Sequence, residues 1–288
     1  MVSFQYRLVA LDLDGTLLNS DKKVSENTKN VLMYLQQHHP DVEIVLASGR
    51  APYLVIPTET DCGVDCSLIG YNGGLCLSKK AEGRTTIFEK AIPADRLIDI
   101  YKYVEDNNLY LNVYGDGIVY GVKRQIEKAN NYSTMTGAKY SFVDSYFELK
   151  PELNPMKCLI ITESEEECDR LLETLTPIFS DLSLVKSNCF SKTCKQYYVE
   201  FLKNGVNKGL SVREFCNLKS IPVEQMVAFG DAENDIDMLK IAGLGICLGN
   251  GNDATKAHSD KVSSYTNDQD GVARELVELY NLPKDLIK

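Results

Sequence analysis

Two aspartates lie two residues apart near the start of the chain, directly after an apolar run. Asp12 and Asp14 follow residues 8–11 (Leu-Val-Ala-Leu), which predict a buried strand. Beyond the end of such a strand both carboxylates can face one pocket, and Gly15 permits a tight turn that directs backbone N–H groups inward. An isolated Asp-Gly pair most often marks a plain turn. The whole pattern at residues 12–16 (Asp-Leu-Asp-Gly-Thr) after an apolar strand favours a functional site.

Three further groups that suit phosphate chemistry follow a predicted strand or begin a predicted helix. Ser48 and Gly49 come directly after a predicted strand at residues 43–47, where a hydroxyl and a backbone N–H can hold a phosphate. Lys208 offers a mobile positive charge for a phosphoryl oxygen or a carboxylate. Each signal is weak alone, because Ser-Gly is common in loops and a lysine at a helix start is more often a solvated surface residue.

A second acidic segment follows the predicted strand at residues 226–229. It places Asp231 and Asp235 four residues apart, with Asn234 between them. Helix capping explains such residues in many proteins, but the same oxygen-rich set also suits a hard cation. Because open α/β sheets place ligands beyond the carboxyl ends of their parallel strands, we expect these segments to form one site.

Strands alternate with helices at both ends of the chain, which predicts a parallel sheet with helices on both faces. The apolar runs at residues 8–11, 43–47 and 67–69 are the first strands of this α/β, Rossmann-like core. The runs at residues 226–229 and 245–248 are its last strands.

The middle of the chain predicts an inserted α+β domain with an antiparallel sheet. Pro93 suits the first position of an amphipathic helix, and residues 115–117 (Gly-Asp-Gly) suit a hairpin turn. Ser164 with Glu167 matches a capping box at the start of another helix.

The predicted division of the chain is a core and an inserted cap. Residues 1–83 and 200–288 are expected to form the core, and residues 84–199 the cap domain. A chain of 288 residues is long enough for two domains, and its 44% hydrophobic and 25% charged residues are typical of a globular protein.

Composition argues against several classes of partner. The formal net charge is −10, and the sequence has no basic stripe that would suit duplex nucleic acid. No apolar run approaches the roughly 20 residues that cross a bilayer, and the first residues do not resemble a secretory signal. The nine cysteines are scattered and odd in number, which favours reduced thiols. We therefore expect a cytoplasmic protein without nucleic-acid or membrane partners.

The order and spacing of these segments resemble the haloacid dehalogenase superfamily, specifically its Cof-type phosphatases. The pair of segments at residues 12–16 and 230–235 is highly specific, and residues 72–73 (Asn-Gly) match the usual lead-in to an inserted cap. The insert is similar to the larger α/β cap of that family. One mild departure is Asn207, which precedes Lys208 where a serine is common and leaves the role of the lysine untouched.

The resemblance implies a Mg²⁺-dependent phosphatase that acts through an aspartyl-phosphate. Asp12 would attack phosphorus, and Asp14 would protonate the leaving alcohol and then deprotonate the attacking water. The metal would be bound by the Asp12 carboxylate, the Asp14 backbone carbonyl and the Asp231 carboxylate. Asp235 would support these ligands rather than bind the metal, and Arg50 would contact either the substrate or the rest of the protein.

The same resemblance implies a set of groups that hold the transferring phosphoryl group. They are Ser48, the Gly49 N–H, Lys208 and Asn234. The substrate would be a phosphomonoester of a small metabolite, such as a sugar phosphate, selected by the cap as it closes.

Two alternatives share these motifs, a phosphomutase of the same superfamily and a non-catalytic sensor of phosphorylated ligands. The intact Asp14 argues against the sensor, because a pure binder does not need an acid/base carboxylate. A receiver domain with a phosphoacceptor aspartate would lack the insert. Neither the individual substrate nor the oligomeric state follows from the sequence.

Overall fold

The apolar strands at the two ends of the chain form one sheet in the computed structural model, which describes residues 5–115, 117–190 and 195–288. The strands in chain order are β1 (Leu8–Leu11), β2 (Glu43–Ala47), β3 (Ser67–Gly70), β4 (Leu75–Leu77), β5 (Thr86–Glu89), β6 (Leu111–Gly115), β7 (Ile118–Val122), β8 (Tyr140–Val143), β9 (Cys158–Thr162), β10 (Leu182–Phe190), β11 (Lys195–Lys203), β12 (Met226–Gly230), β13 (Leu244–Cys247) and β14 (Lys261–Val262). The helices are α1 (Glu26–His38), α2 (Pro52–Cys62), α3 (Ala94–Asp106), α4 (Ile126–Thr136), α5 (Glu165–Ile178), α6 (Lys208–Leu218), α7 (Ile236–Ile241), α8 (Asp253–Ala257) and α9 (Gly271–Leu279). Within these described residues, no helix combines the length and the apolar character that crossing a membrane requires.

Among the residues that the structure describes, the core sheet has eight strands in the order β14-β13-β12-β1-β2-β3-β4-β5. The strands from β14 to β3 in this order pair in parallel, whereas β4 is antiparallel to β3. The predicted parallel core is confirmed, and β1 and β2 begin and end at the predicted residues. The sequence did not predict β4, β5 and β14. β4 and β14 have only three and two residues, and β5 lacks the continuous buried apolar run that marks β1 and β2.

Alternate residues of β1 pack into different clusters on the two faces of the sheet. Val9 and Leu11 belong to the cluster that includes residues of α1 and α9, whereas Leu8 and Ala10 belong to the cluster that includes residues of α6 and α7. Helices thus cover both faces of the central strands, which explains their continuous apolar sequence. The carboxyl ends of the strands remain as the edge where polar segments can gather.

The second unit, Glu89–Val206, is built on a sheet whose described part has six strands, in the order β10-β11-β9-β6-β7-β8. Its neighbouring strands pair antiparallel except β7 and β8, which are parallel because α4 connects them as a crossover. The predicted α+β insert is confirmed, with this one parallel pair as a correction. β6 and β7 pair antiparallel as predicted, and Asp116 of the predicted turn lies outside the described residues.

Both boundaries of the insert lie further along the chain than the predicted residues 84 and 199. The first segment of the core unit ends at Phe88, and the core resumes at Asn207. The start is later because β5 still belongs to the core sheet. The end is later because β11 continues within the second sheet to Lys203.

Two local predictions in the insert are corrected. Pro93 is the N-cap of α3 rather than its first helical residue, which is Ala94. Ser164 caps α5 and accepts from the N–H of Glu167 at 3.2 Å, as predicted. The Glu167 carboxylate, however, accepts from the N–H of Glu163 at 2.6 Å, so the reciprocal half of the capping box is replaced by a bond one residue earlier.

Candidate active site

Asp12 lies just beyond the end of β1 and is almost fully buried. Its Oδ1 accepts a hydrogen bond from Lys208 Nζ at 2.6 Å, and its Oδ2 lies outside that ion pair. Lys208 is the first residue of α6, and Asn207 caps that helix by accepting from the N–H of Leu210 at 2.7 Å. The departure from serine at position 207 therefore preserves a helix cap next to the lysine.

Lys208 lies between two carboxylates, those of Asp12 and Asp235. Its Nζ is 2.6 Å from Oδ1 of each, and all three side chains are buried. The other oxygen of Asp235 accepts hydrogen bonds from the N–H groups of Asp231 at 3.0 Å and Ala232 at 3.1 Å. Burial lowers the pKa of Lys208, but the two carboxylates outweigh this effect and raise the pKa overall, so the lysine stays cationic.

Asp231 follows β12 and lies against the turn that contains Gly15. Its Oδ1 accepts a hydrogen bond from Thr16 Oγ1 at 3.0 Å. A β-carbon on Gly15, whose φ is +82°, would collide with the Asp231 carboxylate. Glycine is therefore required here both for the backbone conformation and for the close approach of the two acidic segments.

Asp12, Asp231 and Asp235 each offer a carboxylate oxygen within 4.8 Å of the others, an arrangement that can hold a metal ion. Both oxygens of Asp235 already accept hydrogen bonds, so Asp12 and Asp231 are the carboxylates with capacity for a cation. A donor set of oxygens alone suits a hard cation such as Mg²⁺ or Ca²⁺.

The pKa values of Asp12 and Asp231 reflect this crowding. Burial and the charge of Asp235 raise the pKa of Asp12 well above its usual range, against the opposing effect of Lys208. The same two causes raise the pKa of Asp231 to about 6, against an opposing hydrogen bond from Thr16. A cation beside these carboxylates would favour their ionised forms, so their chemistry fits a metal site.

Asn72, in the turn after β3, connects the segments of Ser48, Gly49 and Asn234. Its Oδ1 accepts a hydrogen bond from Asn234 Nδ2 at 3.0 Å, and its N–H donates to the Ser48 carbonyl at 3.0 Å. A β-carbon on Gly49 would lie 3.1 Å from Asn72 Oδ1. Asn72 has a φ of +54°, a left-handed conformation that asparagine tolerates better than most residues. The turn that precedes the insert in sequence therefore also joins three predicted phosphate-binding positions.

Asp14 is held by two cations. Arg50 donates from Nε to Oδ2 at 2.7 Å and from Nη2 to Oδ1 at 2.6 Å, and Lys22 Nζ donates to Oδ1 at 3.0 Å. Burial raises the pKa of Asp14, but Arg50 and Lys22 outweigh it and lower the pKa to about 2. Asp14 is therefore ionised in this arrangement. The sequence left open whether Arg50 contacts the substrate or the rest of the protein, and the structure shows its contact with Asp14.

The sequence of the chain matches a known protein family. The family model described as haloacid dehalogenase-like hydrolase matches residues 9–276 of the chain. The chain belongs to the haloacid dehalogenase-like hydrolases. The family predicted from the segments at residues 12–16 and 230–235 is thereby confirmed.

Relatives of this hydrolase match nearly its whole length. The 5-amino-6-(5-phospho-D-ribitylamino)uracil phosphatase YitU of Bacillus subtilis is 27% identical over 281 residues, which cover 96% of this chain and 98% of that protein. Phosphatase YwpJ of the same organism is 27% identical over 297 residues, which cover 95% and 99%. The crystal structure of a haloacid dehalogenase-like hydrolase from Bacteroides thetaiotaomicron is 25% identical, with a TM-score of 0.81 and coverage of 95% and 99%. These findings confirm the predicted enzyme class, a phosphoric monoester hydrolase.

The site of this hydrolase also includes Lys22 and Asn250, which the sequence did not indicate as site residues. Lys22 reaches Asp14, and Asn250 donates from Nδ2 to the Gly15 carbonyl at 2.8 Å. Gly15 and Asn250 are 235 positions apart, so no local pattern connects them. The available signal was the position of Asn250 two residues after the predicted strand at residues 245–248, at the same edge of the sheet as the other site residues.

Proposed function

We propose that this chain is a Mg²⁺-dependent phosphatase that hydrolyses phosphomonoesters of small metabolites through an aspartyl-phosphate on Asp12. One observation carries the proposal. Asp12 is buried at a strand end with Oδ1 fixed by Lys208, which leaves Oδ2 to attack phosphorus. A carboxylate in that setting can attack a phosphate only when the repulsion between them is screened.

Asp12 and Asp14 divide the reaction into two halves. In the first, a bond forms between Asp12 Oδ2 and phosphorus, the bond from phosphorus to the leaving oxygen breaks, and Asp14 gives a proton to that oxygen. In the second, Asp14 takes a proton from a water molecule whose oxygen attacks phosphorus, and the bond to Asp12 breaks and releases phosphate. Because Arg50 and Lys22 keep Asp14 ionised, it must take its first proton from solvent water as the anionic substrate approaches and raises its pKa.

Asp12 and Asp231, together with the Asp14 backbone carbonyl, would hold Mg²⁺. The metal supplies the positive charge that screens the nucleophile from the phosphate. The clustered carboxylates and the raised pKa values of Asp12 and Asp231 support this assignment. Asp235 instead fixes Lys208 and the backbone at Asp231, consistent with a supporting role.

Four groups would hold the oxygens of the transferring phosphoryl group. They are Ser48, the Gly49 N–H, Lys208 and Asn234. The Ser48 hydroxyl oxygen already accepts a hydrogen bond from the N–H of Arg50 at 3.1 Å, which leaves its proton to donate to a phosphoryl oxygen. Lys208 contributes the positive charge beside the nucleophile.

We assign selection of the substrate to the insert. A domain with its own sheet and helices is large enough to enclose a small ligand and exclude water from it. The relative YitU is named for a substrate that carries a phosphorylated ribityl group. That name supports sugar phosphates and related phosphorylated polyols as the class to test first.

Phosphate release from a substrate panel tests the proposal. The panel contains hexose and pentose phosphates, a ribityl phosphate, an aryl phosphate and a phosphorylated protein, each with Mg²⁺ and after chelation. We expect the highest kcat/KM for a small metabolite, no turnover after chelation, and a loss of roughly a thousandfold or more for Asp12→Asn. Asp41→Asn makes the same chemical change at an exposed position and should behave as wild type.

Each departure from these results has its own meaning. Turnover of metal-stripped protein would contradict the requirement for Mg²⁺. Interconversion of phosphorylated isomers without phosphate release would identify a mutase. Preference for the phosphorylated protein would contradict selection by an enclosing insert.

A further inference from the structure

We propose that the loop after β13, residues 249–252, positions the two acidic segments that bind the cation, with Asn250 as its positioning residue. The proposal rests on the proposed function, because it concerns the Mg²⁺ site of the same enzyme. The loop contacts both sides of that site. It reaches the Gly15 turn through a side chain and Asp231 through the backbone.

Asn250 connects two segments through the two ends of its amide. Nδ2 donates to the Gly15 carbonyl at 2.8 Å, and Oδ1 accepts from the N–H of Asn267 at 2.9 Å. An aspartate could not make the first bond, and an apolar side chain could make neither. Asn267 in turn donates from Nδ2 to the carbonyl of Leu18 at 2.9 Å. The turn after the nucleophile is thus held at two carbonyls.

The Gly15 carbonyl lies between two residues that bear on the proposed cation site, Asp14 and Thr16. The peptide that carries it leads directly to Thr16, whose Oγ1 donates to Asp231 Oδ1 at 3.0 Å. Asp14, whose carbonyl is a proposed metal ligand, precedes Gly15. Because a planar peptide moves as one unit, fixing its carbonyl restricts the rotation of the residues on both sides.

The same loop holds Asp231 through its main chain. The N–H of Asn252 donates to the Asp231 carbonyl at 3.1 Å, and Asn252 is itself fixed as the N-cap of α8. A β-carbon on Gly251 would lie 3.1 Å from the same carbonyl oxygen and would collide with Cys247. One short loop therefore sets the separation between the Gly15 turn and Asp231, the two sides of the cation site.

The test measures Mg²⁺ affinity in Asn250→Ala and Asn250→Leu, using the full chain. Calorimetric titration without substrate gives the affinity directly, and the Mg²⁺ dependence of phosphate release gives an activation constant. Asn250 is exposed, so we expect each variant to weaken Mg²⁺ binding only about fivefold, which corresponds to about 1 kcal/mol for one hydrogen bond. Asn217, exposed on α6, supplies the matched controls Asn217→Ala and Asn217→Leu, which should bind Mg²⁺ as wild type does.

Excess Mg²⁺ should restore most of the kcat of both Asn250 variants, a recovery that general damage to the fold would not produce. Unchanged Mg²⁺ affinity in a folded Asn250 variant, checked by circular dichroism, would overturn the proposal. Asn250→Leu keeps the branching at Cγ without the polar atoms, and so answers the question if Asn250→Ala fails to fold. Failure of the proposed function has a different signature, because the wild type would then neither bind Mg²⁺ nor release phosphate.

Discussion

Replacing Lys208 by methionine should strongly destabilise the core unit. Methionine keeps much of the aliphatic volume and removes the ammonium group, so the loss of packing is small. The carboxylates of Asp12 and Asp235 would stay buried without the cation that lies 2.6 Å from each. Removing one partner of a buried ion pair costs about 3–5 kcal/mol, because an unpaired charge is left in a medium that solvates it poorly.

Calorimetric thermal unfolding at pH 7 in the presence of a chelator measures this cost. For a unit of this size each kcal/mol lowers Tm by roughly 2–4 °C, so the core transition should fall by roughly 6–20 °C. Lys123→Met is the matched control, since it removes a lysine that pairs with Asp144 at 3.0 Å on the exposed surface. An exposed pair of this kind contributes about 0–1 kcal/mol, so the control should unfold close to wild type.

The dependence of the Tm of Lys208→Met on pH and on Mg²⁺ distinguishes the effect of unpaired buried carboxylates from a loss of packing. Lowering the pH toward 4 should narrow the gap in Tm between the variant and wild type, because the buried carboxyl of Asp12, whose pKa is raised, then takes up a proton and loses its charge. The proposed Mg²⁺ site beside Asp12 predicts that Mg²⁺ also restores part of the stability, because a ligand that binds only the folded state stabilises it. A fall in Tm no larger than that of Lys123→Met would refute the reasoning.

Three further substitutions test the site. Asp14→Asn should lower kcat/KM for phosphate release roughly 100-fold for an alkyl phosphate but less than about tenfold for an aryl phosphate with a good leaving group. Only the alkyl leaving group needs the proton that Asp14 donates. Equal losses for the two substrates would contradict the acid role. Arg50→Ala should raise the pKa of Asp14 from about 2 toward its ordinary range in a carboxyl NMR titration. The lowered pKa of Asp14 in the folded protein adds stability above the pKa of the unfolded state, and this stability is lost as the pH falls through the folded value. Arg50→Ala should therefore lose less stability than wild type between about pH 4 and pH 2. An unchanged titration of Asp14 would contradict the ion pair. Gly15→Ala should abolish metal binding in titration and phosphate release, because its β-carbon collides with Asp231. Gly205→Ala is the control, because Gly205 has a φ of +74° and no atom of the described residues lies within 4 Å of its β-carbon position. It should cost about 1–2 kcal/mol of backbone strain and keep both metal binding and phosphate release. A Gly15→Ala variant that keeps both would contradict the close approach of Gly15 to Asp231.

The core strands and the grouping of the site segments could be predicted because each depends on a short-range pattern. β1 and β2 are apolar runs bounded by polar residues, so their ends are readable. Parallel strands of an α/β sheet share one carboxyl edge, so the residues that follow them lie close together. The grouping of these residues does not depend on their side-chain contacts.

The partners within the site could not be predicted, because they link residues far apart in the chain. Arg50 was equally compatible with a substrate and with the protein, and its contact with Asp14 joins positions 36 residues apart. The bond between Asn72 and Asn234 joins positions 162 apart. Asn207 illustrates the limit of motif comparison, because a departure from the usual serine preserves the helix cap.

The four aspartates of the site have the same chemistry, and their surroundings separate their roles. Asp235 gives both oxygens to hydrogen bonds within the protein, whereas Asp12 and Asp231 crowd together with raised pKa values. A sensor of phosphorylated ligands would gain from these three, since they fix a lysine and can hold a cation. It would not gain from Asp14, whose negative charge occupies the Arg50 guanidinium that could otherwise bind the phosphate. A carboxylate at that position is useful as a carrier of protons, so the arrangement favours turnover over sensing.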